Sequence, residues 1–163
     1  SGSTSSRGTA DRGTAVFGGD VVVSGSLRSR QIENMYGEYS DTGGSGKEYI
    51  PLNSSASEVT SPNIYTQVVV PFGGKVVRAI LRSTGTPGST VLGFHKNTDG
   101  NDEISGTATE EITVNMSSAN TSYVFNFTDT SIFNLGDVIG FSVDPTSNHG
   151  NVNFVITLEY ETY

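Results

Sequence analysis

The sequence predicts an all-β protein, a jelly-roll-like antiparallel β-sandwich of about eight strands preceded by an extended N-terminal arm. Three observations carry this expectation. From Glu48 onward, apolar and polar residues alternate at a period of two in short runs rich in β-branched and aromatic residues. Gly, Pro, Asn and Asp punctuate those runs, and no segment has helical periodicity. The composition agrees: of 163 residues 34% are hydrophobic, 16% are charged and 20 are Gly. Ser, Thr, Asn and Gly therefore replace the missing apolar share, as in β-rich surface or extracellular proteins and unlike a disordered acidic chain.

Taken in order, residues 1–13 contain a small repeated unit, Arg7-Gly8-Thr9-Ala10 and Arg12-Gly13-Thr14-Ala15, with nothing that can pack. Thr14–Phe17 reads as a short strand. Gly18-Gly19-Asp20 turns into the apolar run Val21-Val22-Val23, and Gly25-Ser26 turns into Leu27–Ile32. Residues 33–46 read as a linker or irregular segment anchored by Tyr36 and Tyr39. Eight strands follow: Glu48–Leu52, Ile64–Val70, Lys75–Ser83, Thr90–Lys96, Ile112–Met116, Tyr123–Phe127, Ile139–Val143 and Val152–Tyr160.

Each strand has one apolar face. Val77, Ala79 and Leu81 share one, opposite Arg78 and Arg82. The last strand is the clearest, with Val152, Phe154, Ile156, Leu158 and Tyr160 alternating against polar neighbours. Two packed sheets follow from eight such strands. Val76, Ile80, Val138 and Val155 place apolar groups on the second faces, as expected of a chain that buries surface in an oligomer.

Charge divides the chain. Residues 1–32 carry four arginines and two aspartates, net +2; residues 33–163 carry five basic and fifteen acidic residues, net −10. A mildly basic arm on an acidic body suits docking onto an acidic partner surface, with Arg7, Arg12, Arg28 and Arg30 as the contacts. The overall charge of −8 argues against nucleic acid as a partner. No apolar run approaches the ~18 residues that insert in a membrane. Without cysteine there is no disulfide framework, thiol nucleophile or Cys-ligated zinc.

Chemistry is sparsely marked. Asn97, Asp99 and Asn101, followed by Asp102 and Glu103, space oxygen side chains as a Ca²⁺ loop does. The loop departs from the EF-hand pattern, with Asp102 at the Gly position and Ala108 where a bidentate Glu belongs. The plainer expectation is a polar hairpin turn at Asp99-Gly100, with no metal or other cofactor. His149, with Asp144 and many serines, offers the parts of a triad, but no G-x-S-x-G elbow marks a nucleophile. A solvated turn histidine is expected there, and a surface or interface residue at His95. Glu110 and Glu111 are adjacent in a strand and point to opposite faces, which disfavours a glycosidase pair. No catalytic residue is assigned and no enzymatic activity is expected. Tyr36, Tyr39 and Tyr65 could stack on sugars, though they serve equally as strand and linker anchors.

The stretch Phe17-Gly18-Gly19-Asp20-Val21-Val22-Val23-Ser24-Gly25-Ser26-Leu27 resembles segments of tailed-bacteriophage fibre and other virion structural proteins. Phe133–Val143 is similar to the loop and strand of phage fibre heads. The resemblance implies a homotrimeric virion surface protein. Residues 1–33 would form an arm and short β neck, where Val21, Val22, Val23 and Leu27 meet across three chains with Arg28 and Arg30 outside. Residues 34–163 would form the head. The arm would anchor to another virion protein, and the head would bind a host surface glycan or protein. A capsid decoration protein, or a small carbohydrate-binding module or hydrolase, are the alternatives.

Overall fold

Ten strands build the chain in the computed structural model, which describes residues 30–40, 44–53, 57–98 and 100–161. They are β1 (Arg30–Ser40), β2 (Glu48–Tyr49), β3 (Gln67–Val69), β4 (Gly74–Ser83), β5 (Gly88–Asn97), β6 (Glu110–Met116), β7 (Ser122–Asn126), β8 (Ile132–Phe133), β9 (Val138–Pro145) and β10 (Asn151–Glu161). One sheet has the order β1-β10-β4-β7, with β8 also on β4; the other has β2-β9-β5-β6, with β3 also on β9. All pairs are antiparallel.

This order is that of a long hairpin folded in half and rolled. The rungs β1·β10, β2/β3·β9, β4·β7/β8 and β5·β6 pair early with late strands, and rolling adds β10·β4 and β9·β5. That is a jelly-roll sandwich. Between the sheets lie Leu92, Phe94, Phe125, Ile139, Phe141, Val143 and Ile156, all fully buried. Val152, Phe154, Ile156, Leu158 and Tyr160 all face inward, as their alternation requires.

Three expectations are corrected. Residues 33–46 are not a linker up to Ser40: β1 pairs with β10 along its whole length, from Arg30↔Glu161 to Ser40↔Asn151. The strand runs through the point where a neck was expected to meet the head. It escapes the alternation test because its inward positions are Gln31, Glu33, Met35, Gly37 and Tyr39, of which only two are large and apolar. The ring of Phe154 fills the gap over Gly37, which stands opposite it in β1·β10.

Second, Val76, not Val77, enters the core. The β4·β10 register steps from Arg78↔Thr157 to Val76↔Leu158, so Val77 is the extra residue of a bulge and the inward parity reverses below it. Third, the hairpin expected at Asp99-Gly100 joins β5 to β6 through a long loop, and Asp99 itself lies outside the described residues. A turn forms there, with Asn101 N–H donating to the Thr98 carbonyl at 3.3 Å and Gly100 at φ 91°, but β6 begins only at Glu110. The intervening chain folds back over the outside of β5 and β9. The expected Phe133-Asn134-Leu135 loop also contains, at its start, the end of β8.

Candidate assembly surfaces

The two sheets differ on their outer faces. The outside of β5 and β9 is covered by the chain's own residues 104–108. His95 is fully buried there; its Nδ1 lies 2.8 Å from the Ser105 carbonyl, and its Nε2 2.8 Å from Ser142 Oγ. A carbonyl only accepts, so Nδ1–H donates to Ser105 and the Ser142 hydroxyl donates to Nε2. Tyr49, Ile104 and Val138 form a small second core beside this network. Glycine makes the close approach possible: a Cβ at Gly140 would lie 2.5 Å from Ile104 Cδ1, and one at Gly93 2.7 Å from Ser142 Oγ.

His95 was expected at the surface or at an interface, and its burial within the chain is a correction. Burial lowers its pKa; the Lys47 charge adds to the lowering, against the opposing Ser105 hydrogen bond and Glu111 charge. Ser142 and His95 have the bond of an activated serine, yet both are shut off from solvent, so the pair acts as a clamp on the covering loop.

His149 is likewise buried, not solvated as expected. Its Nε2 lies 3.1 Å from the Tyr39 hydroxyl, and its carbonyl accepts hydrogen bonds from the Ser83 hydroxyl and Gly85 N–H. Asp144 is exposed on β9. Glu110 and Glu111 do diverge: Glu110 accepts from Thr128 N–H at 3.0 Å and Ser131 Oγ at 2.5 Å, while Glu111 reaches Lys47 at 3.9 Å. Burial acts to raise the Glu110 pKa, and the hydrogen bonds from Ser131 and Thr128 outweigh it, leaving the pKa lowered.

In the Asn97–Glu103 loop, amide groups turn onto the loop itself. Asn97 Nδ2 donates to the Glu103 carbonyl at 3.0 Å, and Asn101 Nδ2 to the Thr98 carbonyl at 3.0 Å. Asp102 and Glu103 are exposed, and Asp99 lies outside the described residues. Among the described residues no group of three or more His, Cys, Asp or Glu could hold a metal ion.

Among the described residues no segment covers the outer face of the other sheet. Its register aligns Tyr36↔Val155↔Ile80↔Val124 across all four strands, an apolar row with Tyr36 75% and Val124 44% exposed. The flanking rows are polar: Asn34↔Thr157↔Arg78↔Asn126 and Glu38↔Asn153↔Arg82↔Ser122. Thr157 Oγ1 donates to Asn34 Oδ1 at 2.8 Å, and Asn153 Nδ2 lies 3.4 Å from Glu38 Oε2. Of the four apolar residues expected on second faces, Ile80 and Val155 are here; Val76 is in the core and Val138 lies under the covering loop.

A second apolar surface lies at one end. The starts of β1, β4 and β9 and the end of β10 converge there, and Ile32, Val69, Phe72, Ile132 and Leu135 are all exposed. Residues 1–29 join the sandwich at this end, at Arg30. Of the residues expected to form the anchor and neck, Arg7, Arg12, Val21, Val22, Val23, Leu27 and Arg28 lie outside the described residues, and Arg30 opens β1. The apolar row and apolar end were not found from the sequence as surfaces, because cross-strand register is not encoded in any one strand.

No protein-family model matches the sequence, and no curated protein sequence matches it. Among solved structures, the chain is similar to a subunit of Bacillus endospore appendages, described as disulfide-linked pili. The TM-score is 0.43 at 15% identity, covering 89% of this chain and 99% of that one. It is also similar to a chain of the T13 particle of infectious bursal disease virus, with TM-score 0.39, 11% identity, and coverage of 94% of this chain and 36% of that one. The Gx strain of the same virus gives 0.40, 11%, 91% and 37%. The chain thus spans about a third of the length of the two viral chains. These likenesses carry no argument about function.

Proposed function

We propose that this chain is a non-enzymatic structural subunit of a virion surface, a homotrimeric head of the fibre or spike kind. Residues 1–32 join it to another virion protein, and the head meets a host surface glycan or protein. The observation that carries the reading is the apolar end at Ile32, Val69, Phe72, Ile132 and Leu135, beside the point where the N-terminal segment leaves. Exposed apolar surface clustered at one place marks a contact surface. The resemblance of Phe17–Leu27 to fibre segments supports the same reading. The opposite end, with loops 84–87, 117–121 and 146–150, then faces outward, and host contact falls on those loops.

The test is the mass of the intact chain by light scattering, with antibody labelling of intact particles in the electron microscope. A trimer, labelled at fibre or spike tips, is expected. A monomer across accessible concentrations would sink the assembly reading, and label spread evenly over the shell would make the chain a capsid decoration protein.

A further inference from the structure

The geometry points to a second, lateral contact: two copies of this chain join through the free edges of β1, antiparallel and centred on Asn34, so that their sheets run on as one. Among the described residues β1 pairs only with β10, and none of them pairs with its other edge. It is an eleven-residue strand, the longest edge of either sheet, and its pairing with β10 has no bulge. It contains no Pro and no Lys, two of the devices that guard an exposed edge. An open edge of this kind is a template for strand addition.

The sequence of the strand selects the partner. Its outward positions are Ile32, Asn34, Tyr36 and Glu38, of which Ile32 is 55% and Tyr36 75% exposed, and Arg30 precedes them at the same spacing in the strand. Read in the opposite direction, this series complements itself: Arg30 stands opposite Glu38 of the second copy, Ile32 opposite Tyr36, and Asn34 opposite Asn34. Opposite charges and apolar pairs facing each other across neighbouring strands both favour pairing.

Other registers fail on the same residues. A shift by one residue sets inward positions of one copy against outward positions of the other and breaks the common core face. Centring on Glu33 stacks two like charges, while centring on Met35 or Tyr36 leaves Arg30 away from Glu38 and Ile32 away from Tyr36. The pairing is two-fold, so it cannot occur inside a three-fold trimer. It joins heads of separate trimers, and it stands whether or not the copies also trimerise at their N-terminal ends.

The chain has no cysteine, which makes the contact directly readable. Asn34→Cys in the full chain places two thiols opposite each other, at a Cα separation of about 5 Å, within disulfide reach. Tyr36→Cys places them about 14 Å apart, beyond it. Under mild oxidation and non-reducing electrophoresis, Asn34→Cys is expected to run as a dimer and Tyr36→Cys or Ile32→Cys alone as monomers. An equimolar mixture of those last two gives the mixed dimer, which keeps the test open should loss of the Asn34–Thr157 bond disturb the fold. Glu38→Arg slows the Asn34→Cys crosslink about tenfold, and adding Arg30→Glu restores it.

Three results overturn the inference. One is no dimer from Asn34→Cys and none from the mixture, while the intact chain is still oligomeric; that leaves the structural-subunit reading standing. Another is Tyr36→Cys crosslinking as fast as Asn34→Cys. The last is an internally bridged monomer of Val22→Cys/Asn34→Cys, which puts the chain's own leader on the edge.

Discussion

Replacing Gly37 with Ala asks whether β1 belongs to the folded sandwich. Gly37 faces inward from β1, opposite Phe154 of β10, and the Phe154 ring lies over the glycine. A methyl group there would sit 2.7 Å from Cε1 of that ring and closer still to Cζ. The ring cannot simply swing aside, because it is nearly buried and packs against Tyr39 at a centroid distance of 6.2 Å. Overpacking of this kind costs about 1–3 kcal/mol. Loss of glycine freedom in the unfolded chain returns roughly 0.4–1 kcal/mol. The net expectation is a destabilisation of about 1–2 kcal/mol, a fall in melting temperature of about 3–8 °C. Thermal and urea unfolding of the full chain measure it. Combining the change with Phe154→Leu should recover part of the loss, because the smaller side chain removes the clash. An unchanged or raised melting temperature for Gly37→Ala would refute the reasoning, since that is how a glycine in a free linker behaves.

Further outcomes follow from the titrating groups and the glycine contacts. Burial first, then the charge of Glu33 and a hydrogen bond with it, push the Tyr160 pKa up to about 12. The unfolded chain therefore ionises this tyrosine first. Its contribution is whole below pH 10 and is lost as pH rises through that range toward 12. The difference in urea stability between the native chain and Tyr160→Phe should shrink across that window. His95 has the opposite sign, because burial lowers its folded pKa. The unfolded chain takes the proton first, so the contribution is whole above about pH 6.5 and falls as pH drops below it. A flatter stability profile between neutral and mildly acid pH is expected for His95→Gln, and an unaltered profile would exclude His95 as the group responsible. Gly93→Ala should cost about 1–3 kcal/mol by pushing apart Ser142 and His95, and Ser142→Ala on the same chain should recover part of it.

How much of this was legible depended on whether a strand carries its own apolar face. β10 and β9 do, and Val152–Tyr160 and Ile139–Val143 enter the core as their alternation demands. β1 does not: with Gln31, Glu33 and Gly37 among its inward residues, its fit is supplied by Phe154 and Tyr160 of the partner strand. All eight expected strands are present, as β2–β7, β9 and β10; β1 and the short β8 are the two that the alternation does not mark, and β2 and β3 share one edge position beside β9. Val76 and Val77 exchange roles through a bulge that depends on register with β10. His95 and His149 are buried by a loop that returns about ten residues on and by the far strands, and a single histidine in a polar context holds no trace of that. The apolar row from Tyr36 to Val124 is assembled from four strands, each contributing one residue, so no segment of sequence contains it.

The rolled topology also fixes the end of the sandwich at which the N-terminal segment joins. Because β1 pairs with β10, the first described residue and the last share one end: Arg30 stands opposite Glu161. The turns leading into β4 and β9 reach the same end, bringing Phe72 and Leu135 there, with Phe72 edge-on to Tyr160 at 6.0 Å. Arg30 therefore lies at the same end as exposed apolar side chains from three separate parts of the chain, Ile32, Val69 with Phe72, and Ile132 with Leu135. The β1 edge, in contrast, runs along the flank from this end to Ser40. A contact at the end and a contact along the flank use different residues except for Ile32. Substitutions at Phe72 and Leu135 should thus weaken attachment while leaving the Asn34→Cys crosslink intact, and Glu38→Arg should do the reverse. If both functions failed together in each variant, the end and the flank would be one surface.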